Sequence, residues 1–198
     1  MAARIVAITI PAINKSMRIG LTKKVIEHDG FMYDAVDQGW YKVLNGQTLF
    51  FLPNTLNQDF NVIANDLDSI ILTGDNSSEI NKQVELRLLQ KMSERNKPVL
   101  GIGNSALTIA EFLGGTIGPV SNQNGLSHPI FYNREVIEVS SYHDQGIKSL
   151  PSHVDIICLD YLGNVEAFIS NNVCGVVWNP EKMEKPWIPP EIAYLLKI

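Results

Sequence analysis

Through the first half of the chain, short apolar runs alternate with longer segments of helical periodicity. That alternation predicts a mostly parallel sheet with covering helices. Arg4 to Ile10 reads as a first strand, Thr48 to Leu52 as a strand closed by Pro53-Asn54, and Ser69 to Leu72 and Val99 to Ile102 as buried strands. Tyr33 to Leu44 reads as a helix. The clearest helix spans Glu79 to Arg95: Ile80, Val84, Leu88, Leu89 and Met92 recur at near-helical spacing, while Lys82, Glu85, Arg87 and Lys91 fall elsewhere. Another, Ser105 to Leu113, stops at Gly114-Gly115, as a helix C-terminus should. The second half is β-rich, with runs at Val136 to Ser141, Val154 to Asp160, Val165 to Ser170 and Val173 to Trp178. Turns at Leu162-Gly163-Asn164 and Asn171-Asn172 make the last three antiparallel neighbours. A short helix, Glu191 to Lys197, follows Pro186 to Pro190. The expected architecture is a three-layer α/β sandwich with a central, mostly parallel sheet and a C-terminal antiparallel β section. No repeat or linker interrupts it, so one domain over residues 1–198 is expected.

Composition narrows the partners rather than the fold. At 198 residues, with 45% hydrophobic and 19% charged residues, the chain can bury a sizeable core and has no bias toward disorder. A net charge of −5 with scattered Lys and Arg argues against a nucleic-acid footprint. No run approaches the ~18 apolar residues of a spanning helix, and the N-terminus lacks a signal-peptide core. A cytoplasmic location, away from membranes and nucleic acid, is the expectation. The expected partner is an amino-acid-like small molecule or another protein; the oligomeric state is left open, a homodimer being compatible. Cys158 and Cys174 lie in apolar runs and read as buried free thiols without metal-ligand spacing, so neither metal nor cofactor is expected.

The segment richest in chemistry is Lys97-Pro98-Val99-Leu100-Gly101-Ile102-Gly103-Asn104-Ser105. An apolar strand runs into a small-x-tip-x-small turn and then a helix, which is how α/β hydrolases present a nucleophile at a strained corner. Here the tip is Gly103, which has no side chain. Ser105, at the start of the following helix, reads first as an N-cap and second as a displaced nucleophile, with His143 as its base.

Four segments, in order, resemble the class I glutamine amidotransferase superfamily, and in particular its gamma-glutamyl hydrolase-like, peptidase C26-type branch. Lys97 to Ser105, followed by Leu113-Gly114-Gly115-Thr116, is similar to K-P-V-L-G-I-C-R-G…L-G-G-T, with Gly103 at the cysteine. Gly175-Val176-Val177-Trp178-Asn179-Pro180-Glu181 resembles G-V-Q-W-H-P-E; Asn179 takes the place of the base histidine, and the acid Glu181 is retained. Ile70-Ile71-Leu72-Thr73-Gly74-Asp75 resembles the strand leading to the oxyanion turn, with Asp75 where a glycine is usual. Ser140-Ser141-Tyr142-His143-Asp144-Gln145 is similar to the pocket-lining N-S-x-H-H-Q. A weaker likeness links Tyr33 to Trp40 and Leu52-Pro53-Asn54 to a bacterial subgroup, and Glu85 stands where the family often has the last residue of R-D-x-x-E.

The resemblance implies a flavodoxin-like fold and a crevice lined by Gly74, Asp75, Asn104, Ser105, His143 and Gln145. Asparagine cannot take up a proton near neutral pH. The expectation is therefore a catalytically inactive relative that binds a glutamine or gamma-glutamyl ligand, or supports a partner protein. The alternative is a gamma-glutamyl amide hydrolase with a displaced nucleophile, Ser105 or Cys174.

Overall fold

The computed structural model describes residues 17–74, 78–120 and 124–198. The run Arg4 to Ile10 and the residue Asp75 lie outside them. The first described strand, β1 (Arg18–Leu21), pairs in parallel with β4 (Thr48–Phe51) and β5 (Ser69–Leu72). β6 (Val99–Ile102) follows β5 in parallel, and β13 (Val173–Val176) follows β6. From β13 the pairing turns antiparallel through β12 (Val165–Ser170), β11 (Asp155–Asp160), β8 (Asn124–Tyr132) and β9 (Glu135–Tyr142). β10 (Gln145–Ser149) joins this sheet against β12 and β7 (Thr116–Pro119). The mixed sheet, a parallel half joined to an antiparallel one, matches the expected sandwich.

One face of the sheet packs on α2 (Phe60–Asp66), α3 (Glu79–Ser93) and α4 (Asn104–Phe112), with Ile70, Leu72, Leu88, Leu89, Ile109 and Phe168 fully buried. The other is covered by α1 (Trp40–Val43) and α5 (Pro190–Leu196), where Trp40, Trp178, Ile192 and Leu196 enclose Leu21, Ile71 and Leu100. Strands buried on both sides read as continuous apolar runs, and for that reason Ser69–Leu72 and Val99–Ile102 are legible in the sequence.

Three readings need correction. Tyr33 to Leu44 is not one helix: β2 (Lys24–His28) and β3 (Phe31–Ala35) form a separate hairpin, and only the four residues of α1 are helical. The hairpin turns at Asp29-Gly30, both at positive φ, the geometry that tight two-residue turns require. In α3 the buried stripe includes Asn81 and Glu85, both fully buried, whereas Ile80 lies exposed. Finally, α4 begins at Asn104 with Gly103 in the cap position, so Ser105 is inside the helix and is not its N-cap.

Candidate active site

The C-terminal ends of parallel strands are where open α/β sheets bind ligands, and β5, β6 and β13 all end there. At the end of β6 the backbone turns sharply into α4 through Gly103, at φ 57 and ψ −124. This is a strained conformation that L-residues adopt mainly where function demands it. Gly101 lets strand and helix meet closely, since a Cβ there would lie 2.8 Å from the Ser105 carbonyl. A methyl group added at Gly103 would sit 3.6 Å from Asn179 Nδ2 and 3.9 Å from its Oδ1, with nothing nearer. Asn179 Nδ2 in turn donates to Glu181 Oε1 at 2.9 Å. Tip, amide and carboxyl therefore follow one another in space, each within reach of the next. The tip has no side chain, and the middle group cannot accept a proton. Asn179 is fixed from behind, its backbone N–H donating to the Ser140 carbonyl at 2.9 Å. Glu181 is buried, which raises its carboxyl pKa, and its Oε2 has no hydrogen-bond partner among the described residues.

His143 is buried, with 3% of its surface exposed. Its Nδ1 lies 2.8 Å from the Gln145 carbonyl, an acceptor, so that nitrogen carries the proton and Nε2 presents a lone pair. Burial pushes its pKa down to about 4, leaving the ring neutral at pH 7.

A sequence model of the Peptidase C26 family matches residues 119–181, the span that carries His143, Asn179 and Glu181. The gamma-glutamyl-CDP-amidate hydrolase of Campylobacter jejuni is 27% identical over 183 residues, covering 84% of this chain and 90% of the relative. Among solved structures, a protein described as a GMP synthase subunit from Thermoplasma acidophilum superposes with a TM-score of 0.70 at 16% identity, covering 91% of this chain and 92% of that one. A glutamine amidotransferase from Thermotoga maritima gives 0.63 at 12% identity, over 83% of this chain and 76% of its own. The fold is shared with these glutamine amidotransferase-like structures.

The remaining candidate residues divide. Gly74 donates its N–H to Glu85 Oε1 at 2.8 Å and accepts from Ser105 Oγ at 3.1 Å, so its amide is directed into the protein. Ser105 is fully buried, its hydroxyl 2.6 Å from Glu85 Oε2. Cys174 is also fully buried; burial raises its thiol pKa, and its Sγ lies 3.3 Å from the Val99 carbonyl. Cys158 is buried likewise, its pKa pushed up to about 12. Nucleophiles need a thiolate or an accessible hydroxyl beside a base, and neither Ser105 nor Cys174 has one. Asn104 is half-buried on the first turn of α4, and Gln145 is exposed, lending its carbonyl to His143.

Sequence reasoning left several polar residues without a place. Glu85 gathers Thr22 Oγ1 (2.6 Å), the Gly74 amide and Ser105 onto one carboxyl group. Its spacing from Asn81, Leu88 and Met92 is the signal that could have revealed it, a charged residue on an apolar stripe. Asp34, inside the run read as a helix, lies on β3; it pairs with Lys23 at 3.1 Å and accepts from the Asn54 amide and side chain. His128 on β8, T-shaped against His143 with ring centroids 6.5 Å apart, approaches Glu166 Oε1 at 3.6 Å; both are buried. Burial raises the Glu166 pKa. Among the described residues no group of three His, Cys, Asp or Glu side chains is arranged to hold a metal ion. No helix among them is long and apolar enough to cross a membrane.

Proposed function

We propose that this protein holds a gamma-glutamyl amide in a hydrolase-type crevice without cleaving it, Gly103 and Asn179 standing where hydrolases of this kind carry cysteine and histidine. The observation that carries the reading is the alignment of the empty Gly103 tip with Asn179 and of Asn179 with Glu181. The scaffold of a triad is kept, while the groups that would form a thiolate and protonate a leaving amine are absent. A gamma-glutamyl ligand is favoured by the Campylobacter jejuni relative, whose name gives a gamma-glutamyl amidate as what it acts on. A displaced-nucleophile hydrolase is disfavoured by the burial of Ser105 and Cys174.

The test is release of glutamate from glutamine and gamma-glutamyl amides. Wild-type protein is expected to give no more than background, and the Gly103→Cys/Asn179→His variant a gain on the order of 10³-fold or more, since triad members act as a unit. Wild-type turnover that disappears in Ser105→Ala or His143→Gln would overturn the reading.

A further inference from the structure

We infer that Asn179 is the specificity-determining residue of the crevice: it reads the ligand's intact carboxamide by paired hydrogen bonds and so selects the uncleaved amide over the free acid. The inference rests on the ligand-binding reading above and adds to it the chemical state of the ligand's end. Three features of the site lead to it.

The first is orientation. The Glu181 carboxyl Oε1 accepts from Asn179 Nδ2, which fixes which end of the side-chain amide faces the acid. The second is access. Asn179 is half-buried, beside the Gly103 tip rather than sealed in the core, and its Oδ1 is not among the fully buried unpaired atoms. One N–H and the C=O of that amide are thus left for a ligand beside the elbow. The third is unmet hydrogen-bonding capacity. Nδ2 has two hydrogens and uses one on Glu181, and Oδ1 has no partner among the described residues. Glu181 Oε2 beside it is buried without a partner as well.

A carboxamide fits this edge reciprocally: its N–H donates to Asn179 Oδ1, and its carbonyl accepts the second Nδ2 hydrogen. A carboxylate has no N–H to give. It would leave Oδ1 unmet and place a second acidic group next to buried Glu181. Sites built to hydrogen-bond a ligand N–H discriminate against analogues that lack it. The residue that would pass protons in an acting hydrolase here recognises the bond that such an enzyme breaks.

The experiment is titration calorimetry of the full chain with L-glutamine, gamma-glutamyl methylamide and L-glutamate. The expected result is binding of both amides at least about tenfold tighter than glutamate, a preference of roughly 1.4 kcal/mol or more. Asn179→Asp, nearly isosteric but lacking the N–H groups, is expected to lose that preference and, with a second carboxyl group set against buried Glu181, to unfold at a lower temperature than wild type while still folded under the conditions of the titration. Glutamate binding as tightly as the amides would overturn the inference and leave the ligand-binding reading standing. A preference that persists undiminished in folded Asn179→Asp would also overturn it. Binding of none of the three would sink both.

Discussion

Two positions, Gly103 and Asn179, carry the proposed function, and the first leads to a measurable expectation for stability. At Gly103 the added Cβ meets nothing closer than 3.6 Å, so any cost of a side chain there comes from the backbone. Gly103→Ala is expected to lower stability by about 1–3 kcal/mol, the range for a non-glycine residue held in sparsely populated φ/ψ space. A shift in the urea midpoint would report it, and an unchanged midpoint would show that the elbow relaxes. Any reconstruction of activity at this tip starts from that deficit. At this scale the sequence was most informative for glycines and for residues in motifs, because a turn tip and its facing residue come from two compact segments. It was least informative for Glu85 and His128, whose partners Thr22, Ser105 and Glu166 are distant in sequence and meet only after the sheet has closed.

Among the elements, α4 is tied to α3 through Ser105 and Glu85, and to β5 through the Gly74 carbonyl. Ser105→Ala removes a buried donor from a buried carboxyl group and is expected to cost about 1–3 kcal/mol, with amide binding measured by calorimetry unchanged. Loss of binding without loss of stability would show that Ser105 touches the ligand. The parallel strands β5 and β6 are legible because burial on both faces leaves them uninterrupted by polar residues. The hairpin β2–β3 is harder to read. Its Asp29-Gly30 turn is a strong hairpin signal, but the strands around it leave Ile26, Phe31, Met32 and Tyr33 exposed, so no alternation of buried and polar positions marks them. The β8–β9 turn is obscured differently: Asn133 and Arg134 both adopt positive φ, and arginine gives no hint of that in sequence.

For the molecule as a whole, buried ionisable groups set the response to acid. The folded-state pKa of His143, about 4, lies below the unfolded value, so the unfolded chain takes up the proton first as pH falls. Stability is fully present above about pH 6.5 and declines toward pH 4, by about 3 kcal/mol in all from this residue. Glu166 and Glu181, whose burial raises their pKa, act in the opposite sense and gain stability as pH falls through their folded-state values. Denaturant midpoints at pH 7 and pH 5 separate the two. His143→Gln is expected to abolish about 2 kcal/mol of the acid-induced loss, and equal slopes in variant and wild type would refute the assignment. Sequence alone conveyed the sandwich and its division into parallel and antiparallel halves, since both follow from local periodicity. The balance of buried charges follows from packing.

The carboxyl group of Glu85 joins Thr22 from the end of β1, Gly74 from the end of β5 and Ser105 from α4, residues separated by up to 83 positions along the chain. The Gly74 N–H, though it belongs to no helix or strand, is held by a buried carboxyl group on α3 that the other two segments also bond. In deuterium it should therefore exchange about as slowly as the central strands, on the timescale of global unfolding rather than of a surface turn.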